Sequence, residues 1–210
     1  GGKRGRDVPP ALLDKLIDAR LFDLVLPRSI GGVEADIETM VRVIEEVSTH
    51  DGATGWAVGI GLGTSVVSAF VDDATAREIF APRAIIGGPM APNGRAIPVD
   101  GGYRVTGRWP FASGSPHCAW LIGGSIVFED DAPRIVGEGM PDWRITVFPR
   151  ADVEIVDTWS VMGLRGTGSH DIVVNDAFVP ERRAISFVGT QPKQPGPLYA
   201  FATLGFLALT

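Results

Sequence analysis

Gly107-Arg108-Trp109-Pro110-Phe111-Ala112-Ser113-Gly114 is the stretch on which the reading of this chain turns. Residues 103–113 have strand character. Side chains alternate along a strand, so Tyr103, Val105, Gly107, Trp109, Phe111 and Ser113 are expected on one face. Two flat rings then precede a hydroxyl, and Gly114 lets the backbone approach closely. An isoalloxazine ring needs an apolar surface along one edge and, near N5, a group that follows its change of redox state. N5 accepts a hydrogen bond when oxidised and donates one when reduced. A serine hydroxyl can answer either way, whereas a lysine or a bare backbone N–H only donates. The stretch therefore reads as one wall of a flavin site, although Trp and Phe on a strand face also suit an ordinary core.

The rest of the chain narrows the classes of function. Its 210 residues leave room for one large or two small domains, and 45% apolar with 21% charged residues describe a globular chain with a substantial core. A net charge of −6, with no basic run beyond the Lys3–Arg6 cluster, argues against a nucleic-acid surface and for small-molecule or protein partners. The single cysteine, Cys118, excludes an internal disulfide and a cysteine-based metal cluster; a small buried hydrophobe in a reducing compartment is expected. No apolar run has the length of a membrane span and no secretory signal opens the chain, so a cytoplasmic location without membrane contact is expected.

The first part reads as helical. Pro9 and Pro10 open a segment in which Leu12, Leu13, Leu16, Ile17 and Leu21 recur at helical spacing, ending near Leu24. Asp36 is placed to cap a second helix carrying Ile37, Met40, Val41, Ile44 and Val47, residues 53–70 suggest a central buried helix, and Asp72 or Asp73 begins a fourth through Ile79. From about Ala84 short apolar or alternating runs replace them, at 84–88, 97–99, 103–106, 119–122, 144–148, 153–156 and 171–174, with Asp100-Gly101-Gly102 as a hairpin signal. The order is helices and then a β-barrel or sandwich, without the strand–helix alternation or G-x-G-x-x-G turn of a nicotinamide-binding domain. Both ends read as cut: the chain opens on Gly1 rather than Met, and stops at Thr210 within the apolar run from Leu198 to Leu209.

Landmarks in this order resemble the acyl-CoA dehydrogenase superfamily over nearly the whole chain. They are Leu26-Pro27 with Gly31-Gly32, the pattern from Gly107 through Ser113-Gly114 to His117 and Trp120, and Trp159-Ser160-Val161-Met162-Gly163-Leu164-Arg165-Gly166-Thr167-Gly168-Ser169 followed by Phe178-Val179-Pro180. The second landmark is closer to the two-component flavin-dependent monooxygenases of this fold. The resemblance implies an α+β chain with an N-terminal helical domain at 1–83, a middle β-barrel domain at 84–186, and at 187–210 a linker and the truncated start of a C-terminal helical bundle. It implies FAD or FMN held by Met90, Ala91, Trp109, Phe111, Ala112, Ser113 and Gly114, with Thr64 and His117 toward a small-molecule substrate, no metal, and a catalytic base beyond Thr210. A homotetramer is implied, with a flavin reductase or an electron-transfer flavoprotein as redox partner. The monooxygenase reading stands first; an FAD-dependent acyl-CoA dehydrogenase and a non-catalytic flavin-binding or assembly module are the alternatives. Against the dehydrogenase, the Gly88–Arg95 segment lacks the hydroxyls that family places there.

Other candidates have structural readings beside the chemical ones. Gly163, Gly166 and Gly168 around Arg165 and Thr167 fit a tight inter-strand turn better than an anion cradle. His117 suits a turn histidine bonded to the backbone as well as a direct role. His50 with Asp51 is either a base and its carboxylate or a charge at a helix C-terminus, and His170 and Asp171, as strand neighbours, point to opposite faces.

Overall fold

The computed structural model describes residues 6–186 and 189–200; the expected helix beyond Ala200 lies outside the described residues. Four α-helices come first: α1 (Pro10–Asp18), α2 (Ile37–His50), α3 (Gly52–Ser65) and α4 (Asp73–Ile79). Three are started by aspartates. Asp36, Asp51 and Asp72 accept backbone N–H bonds from Thr39, Thr54 and Thr75, satisfying donors that the first helical turn leaves without partners. With hydroxyl bonds from the same threonines, which come first at Asp51, these bonds hold the pKa of each carboxyl below the ordinary aspartate value. Asp51 thus caps a helix instead of serving His50. Helix α1 stops short of the expected Leu24, because Arg20 turns into the left-handed region at φ 60° and residues 21–23 form a separate 3-10 turn. Helix α3 is buried along nearly its whole length, as its uncharged composition implied.

Eleven strands follow: β1 (Ile86–Gly87), β2 (Gly94–Val99), β3 (Gly102–Ala112), β4 (Trp120–Glu129), β5 (Ala132–Pro133), β6 (Ile135–Val136), β7 (Met140–Pro141), β8 (Trp143–Pro149), β9 (Glu154–Val156), β10 (His170–Pro180) and β11 (Ala184–Ser186). Nine join one sheet in the order β11-β8-β4-β2-β3-β10-β9, with β1 and β5 added beside β4, while β6 and β7 pair separately. The path does not close by hydrogen bonds among the described residues, yet it curls around one ring. Trp109 on β3 is fully buried, 5.8 Å from Phe148 of β8 between ring centroids, and its Nε1 donates to Gly124 O of β4 at 2.7 Å. A Cβ on Gly94, Gly107 or Gly123 would stand 2.5, 2.6 or 2.5 Å from the indole, so these glycines clear the space it fills. One core joins Leu16, Val58 and Leu62 of the helices to Val105, Trp109 and Leu121 of the sheet.

The expectation that Trp109, Phe111 and Ser113 share a face is overturned. Between its partners His170 and Ile172 on β10, strand β3 carries one extra residue, with Ala112 and Trp109 as the matching positions. The bulge falls at Pro110, which has no N–H to give the ladder, and at Phe111, whose φ is 63°. Side-chain alternation restarts there. Trp109 points inward, Phe111 is 69% exposed, and Ala112 is buried.

Candidate flavin site

The capped start of α3 presents Trp56, 39% exposed, toward the end of β3. Its Nε1 donates to Ser113 Oγ at 2.9 Å, joining residues 57 positions apart. Ser113 sits just past the strand, 7% exposed, with its backbone N–H on Phe111 O and Gly114 at φ 73° behind it. Its hydroxyl continues into a buried row: Ser113 Oγ to Ser169 Oγ at 2.7 Å, Ser169 Oγ to Thr167 Oγ1 at 2.6 Å, and Thr167 Oγ1 donating to Leu164 O at 2.9 Å. The row is held by the Gly-rich turn. Leu164 and Gly168, both left-handed at φ 52° and 53°, bracket the 3-10 turn Arg165–Thr167, and Gly114 N–H bonds Thr167 O at 2.8 Å. The turn reading therefore holds for Gly168, in the connection between β9 and β10, whereas Gly163 and Gly166 keep ordinary backbone.

An apolar rim lies beside the hydroxyls. Phe111 meets Trp159 edge to face with centroids 6.2 Å apart, and Trp159 Nε1 donates to Leu164 O at 3.2 Å. Leu164 and the fully exposed Met162 line a neighbouring cleft whose walls also carry the charged Asp7, Asp51 and Arg165, with Gly52 and Ala53 at the start of α3. Exposed rings beside one nearly buried hydroxyl make a donor set that suits a flavin: flat apolar surface, and a polar atom able to meet N5.

Of the residues expected at the cofactor, Ser113, Gly114 and Phe111 are brought together here. Trp109 and Ala112 are not, since the bulge turns both side chains into the core, where they are fully buried. Met90 is buried, with its carbonyl receiving Trp143 Nε1 at 3.1 Å, and exposed Ala91 follows it beside Gly124 of β4, so both are engaged on the β4 side of the sheet. Thr64 is enclosed in α3, eight residues after Trp56 and so about 12 Å along the axis. His117 is half-buried in the turn after Ser113, and its Nε2 is enclosed with no hydrogen-bond partner, so it is not a histidine bonded to the backbone through that atom. Burial lowers its pKa, with Asp7 pulling weakly the other way. His170 receives the Trp159 N–H on Nδ1 at 3.2 Å and approaches Asp157, while Asp171 pairs with Arg108 at 2.8 Å, on opposite sides as expected. No cluster of metal-binding side chains occurs among the described residues.

Trp56, Trp159, Thr167 and Ser169 were not among the expected site residues. The signal available was local: two hydroxyls flanking Gly168, inside a landmark already recognised. Nothing local marks Trp56, which reaches the site only through the packing of α3 on the turn.

Residues 2–84 match the family model described as the acyl-CoA dehydrogenase N-terminal domain. A pigment production hydroxylase of Rhodococcus sp. is 37% identical over 202 residues, covering 91% of this chain and 50% of that protein. The oxygenase subunit HsaA of a flavin-dependent monooxygenase from Mycobacterium tuberculosis is 33% identical over 195 residues, covering 92% and 48%. The solved structure of XiaF from Streptomyces sp., in complex with FADH2 and glycerol, superposes with a TM-score of 0.85 at 31% identity, covering 98% of this chain and 52% of that one. The chain spans about half the length of the curated relatives it matches. The helices, the wrapped sheet and these similarities agree: the chain belongs to the acyl-CoA dehydrogenase superfamily, with flavin-dependent monooxygenases among its relatives.

Proposed function

We propose that this chain forms the flavin-facing part of the oxygenase component of a two-component flavin-dependent monooxygenase, which receives reduced FMN or FAD from a separate reductase and acts on a small organic substrate. The observation that carries the reading is the Ser113 hydroxyl, fixed by Trp56 at the edge of an exposed aromatic rim. The relatives named as oxygenase subunit or oxygenase component support it, as does the FADH2 complex of XiaF. When bound, reduced flavin supplies the electrons that activate O2. The chain's own part is positional: Ser113 offers an oxygen to a hydrogen-bond donor, Trp56 fixes that oxygen, and Phe111, Trp159, Leu164 and Met162 give an apolar surface that keeps water from the reacting edge. The division at 83/84 and 186/187, a homotetramer completed by a C-terminal helical bundle, a base supplied from that bundle and a cytoplasmic location belong to the same proposal.

Dehydrogenation of a thioester is disfavoured, because the Gly88–Arg95 segment offers no hydroxyl and Met90 O is already engaged by Trp143. The test is to mix the full-length protein with reduced FMN or FAD, admit O2, and follow flavin absorbance and incorporation of labelled oxygen across a panel of small aromatic and heteroatom substrates. Slowed flavin reoxidation and a labelled product are expected. Rapid bleaching of bound FAD by an acyl-CoA would replace this reading with the dehydrogenase, and failure to bind flavin would leave a non-catalytic module.

A further inference from the structure

We infer that Thr167 and Ser169, acting through Ser113, are positioning residues that make the site discriminate between the redox states of its flavin. The inference deepens the flavin reading above and rests on it. It follows from counting hydrogens along the buried row. A carbonyl oxygen only accepts, so the Thr167 hydroxyl, which donates to Leu164 O at 2.9 Å, has committed its one hydrogen. Its 2.6 Å contact with Ser169 must then be donated by Ser169, and the 2.7 Å contact between Ser169 and Ser113 must be donated by Ser113. The indole N–H of Trp56 closes the other end, since it too can only donate. Every hydrogen in the row points one way, from Trp56 through Ser113, Ser169 and Thr167 to Leu164.

Ser113 is therefore no longer a group that answers either way. Its hydrogen is held by Ser169, one lone pair is taken by Trp56, and what remains for a ligand is the second lone pair. That lone pair receives an N–H, as reduced N5 offers, and repels the lone pair of oxidised N5. Serving oxidised flavin would require Ser113 to take its hydrogen away from Ser169 within a row whose other members, Thr167 and Ser169, are almost fully enclosed. Enclosed behind Ser113, Thr167 and Ser169 act through its hydroxyl: they decide which way it faces.

The experiment measures dissociation constants of oxidised and of anaerobically reduced FMN and FAD for the full-length protein and its Thr167→Val, Ser169→Ala and Thr167→Ser variants. The ratio of oxidised to reduced constants is expected to fall roughly three- to tenfold in Thr167→Val and in Ser169→Ala, the scale of one hydrogen bond. It is expected to be preserved in Thr167→Ser, which keeps the hydroxyl. A tenfold fall lowers the bound two-electron potential by about 30 mV. An unchanged ratio in variants that still bind the flavin overturns the inference and leaves the flavin reading standing; a wild-type protein that binds neither FMN nor FAD in either redox state removes both. Neutron diffraction of the wild-type protein gives a readout independent of flavin: the Ser113 hydrogen is expected on the Ser169 side, and finding it directed away from Ser169 overturns the relay whether or not a variant folds.

Discussion

A Cβ on Gly123 would stand 2.5 Å from Cε2 of Trp109, closer than such atoms pack, so the glycine on β4 and the indole on β3 are a matched pair. Gly123→Ala is expected to destabilise the fold by about 1–3 kcal/mol through overpacking, and Trp109→Phe by a similar amount through lost volume and the lost bond to Gly124 O. In the double variant the smaller ring admits the new methyl, so the two costs add to less than their sum. Urea denaturation of the four proteins checks this, and strict additivity would show that the two sites do not share space.

Asp142 is buried at the start of β8, where Arg144 Nε and Arg134 Nε donate to its two oxygens at 2.8 and 2.9 Å. Burial alone would raise its pKa, but the bonds from Arg144 and Arg134 outweigh it and hold the carboxyl below the usual range. A folded pKa below the unfolded one gives stability that is present above about pH 4 and lost as pH falls through the folded value. Asp142→Asn is expected to cost roughly 3 kcal/mol at neutral pH and to flatten that acid limb, as read from melting temperature against pH.

His117 gives a second, milder pH effect. With burial lowering its pKa and Nε2 unpartnered, the folded protein resists a proton that the unfolded chain accepts near pH 6.5. More protons bound in the unfolded state means stability that rises with pH, so it is lost as pH falls from 6.5 toward the folded pKa. His117→Leu is expected to flatten the melting temperature over that window while changing stability at pH 8 by no more than about 1 kcal/mol. An unchanged slope would place the titration elsewhere.

Cys118 is expected to be chemically silent in the folded protein. Burial pushes its thiol pKa up to about 12, with Arg150 pulling weakly the other way, and its Sγ contacts Gly114 O at 3.3 Å. A chromogenic disulfide reagent at pH 8 should label it only after denaturant is added. Fast labelling of the native protein would show that the turn after Ser113 opens.

Much of the fold was legible because its signals are local. Asp36 and Asp72 announced helix starts by their own side chains, the uncharged run at 53–70 announced a buried helix, and Asp100-Gly101-Gly102 announced the hairpin. The short strands at 132–141 and 184–186 carried no pattern of their own, since they exist only by pairing with neighbours. The site was half legible. Ser113 was nominated from chemistry, but the face it shares was misjudged, because a period of two holds only while the ladder is regular and Pro110 breaks it. Trp56 was out of reach, as its bond to Ser113 depends on how α3 lies against a turn 110 residues further along the chain.

The left-handed backbone at Phe111 has a practical outcome for protein engineering. By sending nearby aromatic side chains in opposite directions, a single kink assigns Trp109 to holding the molecule together and leaves Phe111 outside, against Trp159. Randomised libraries at 111 and 162 would thus vary molecular recognition with little penalty in foldedness, whereas the neighbouring position 109 tolerates almost no diversity.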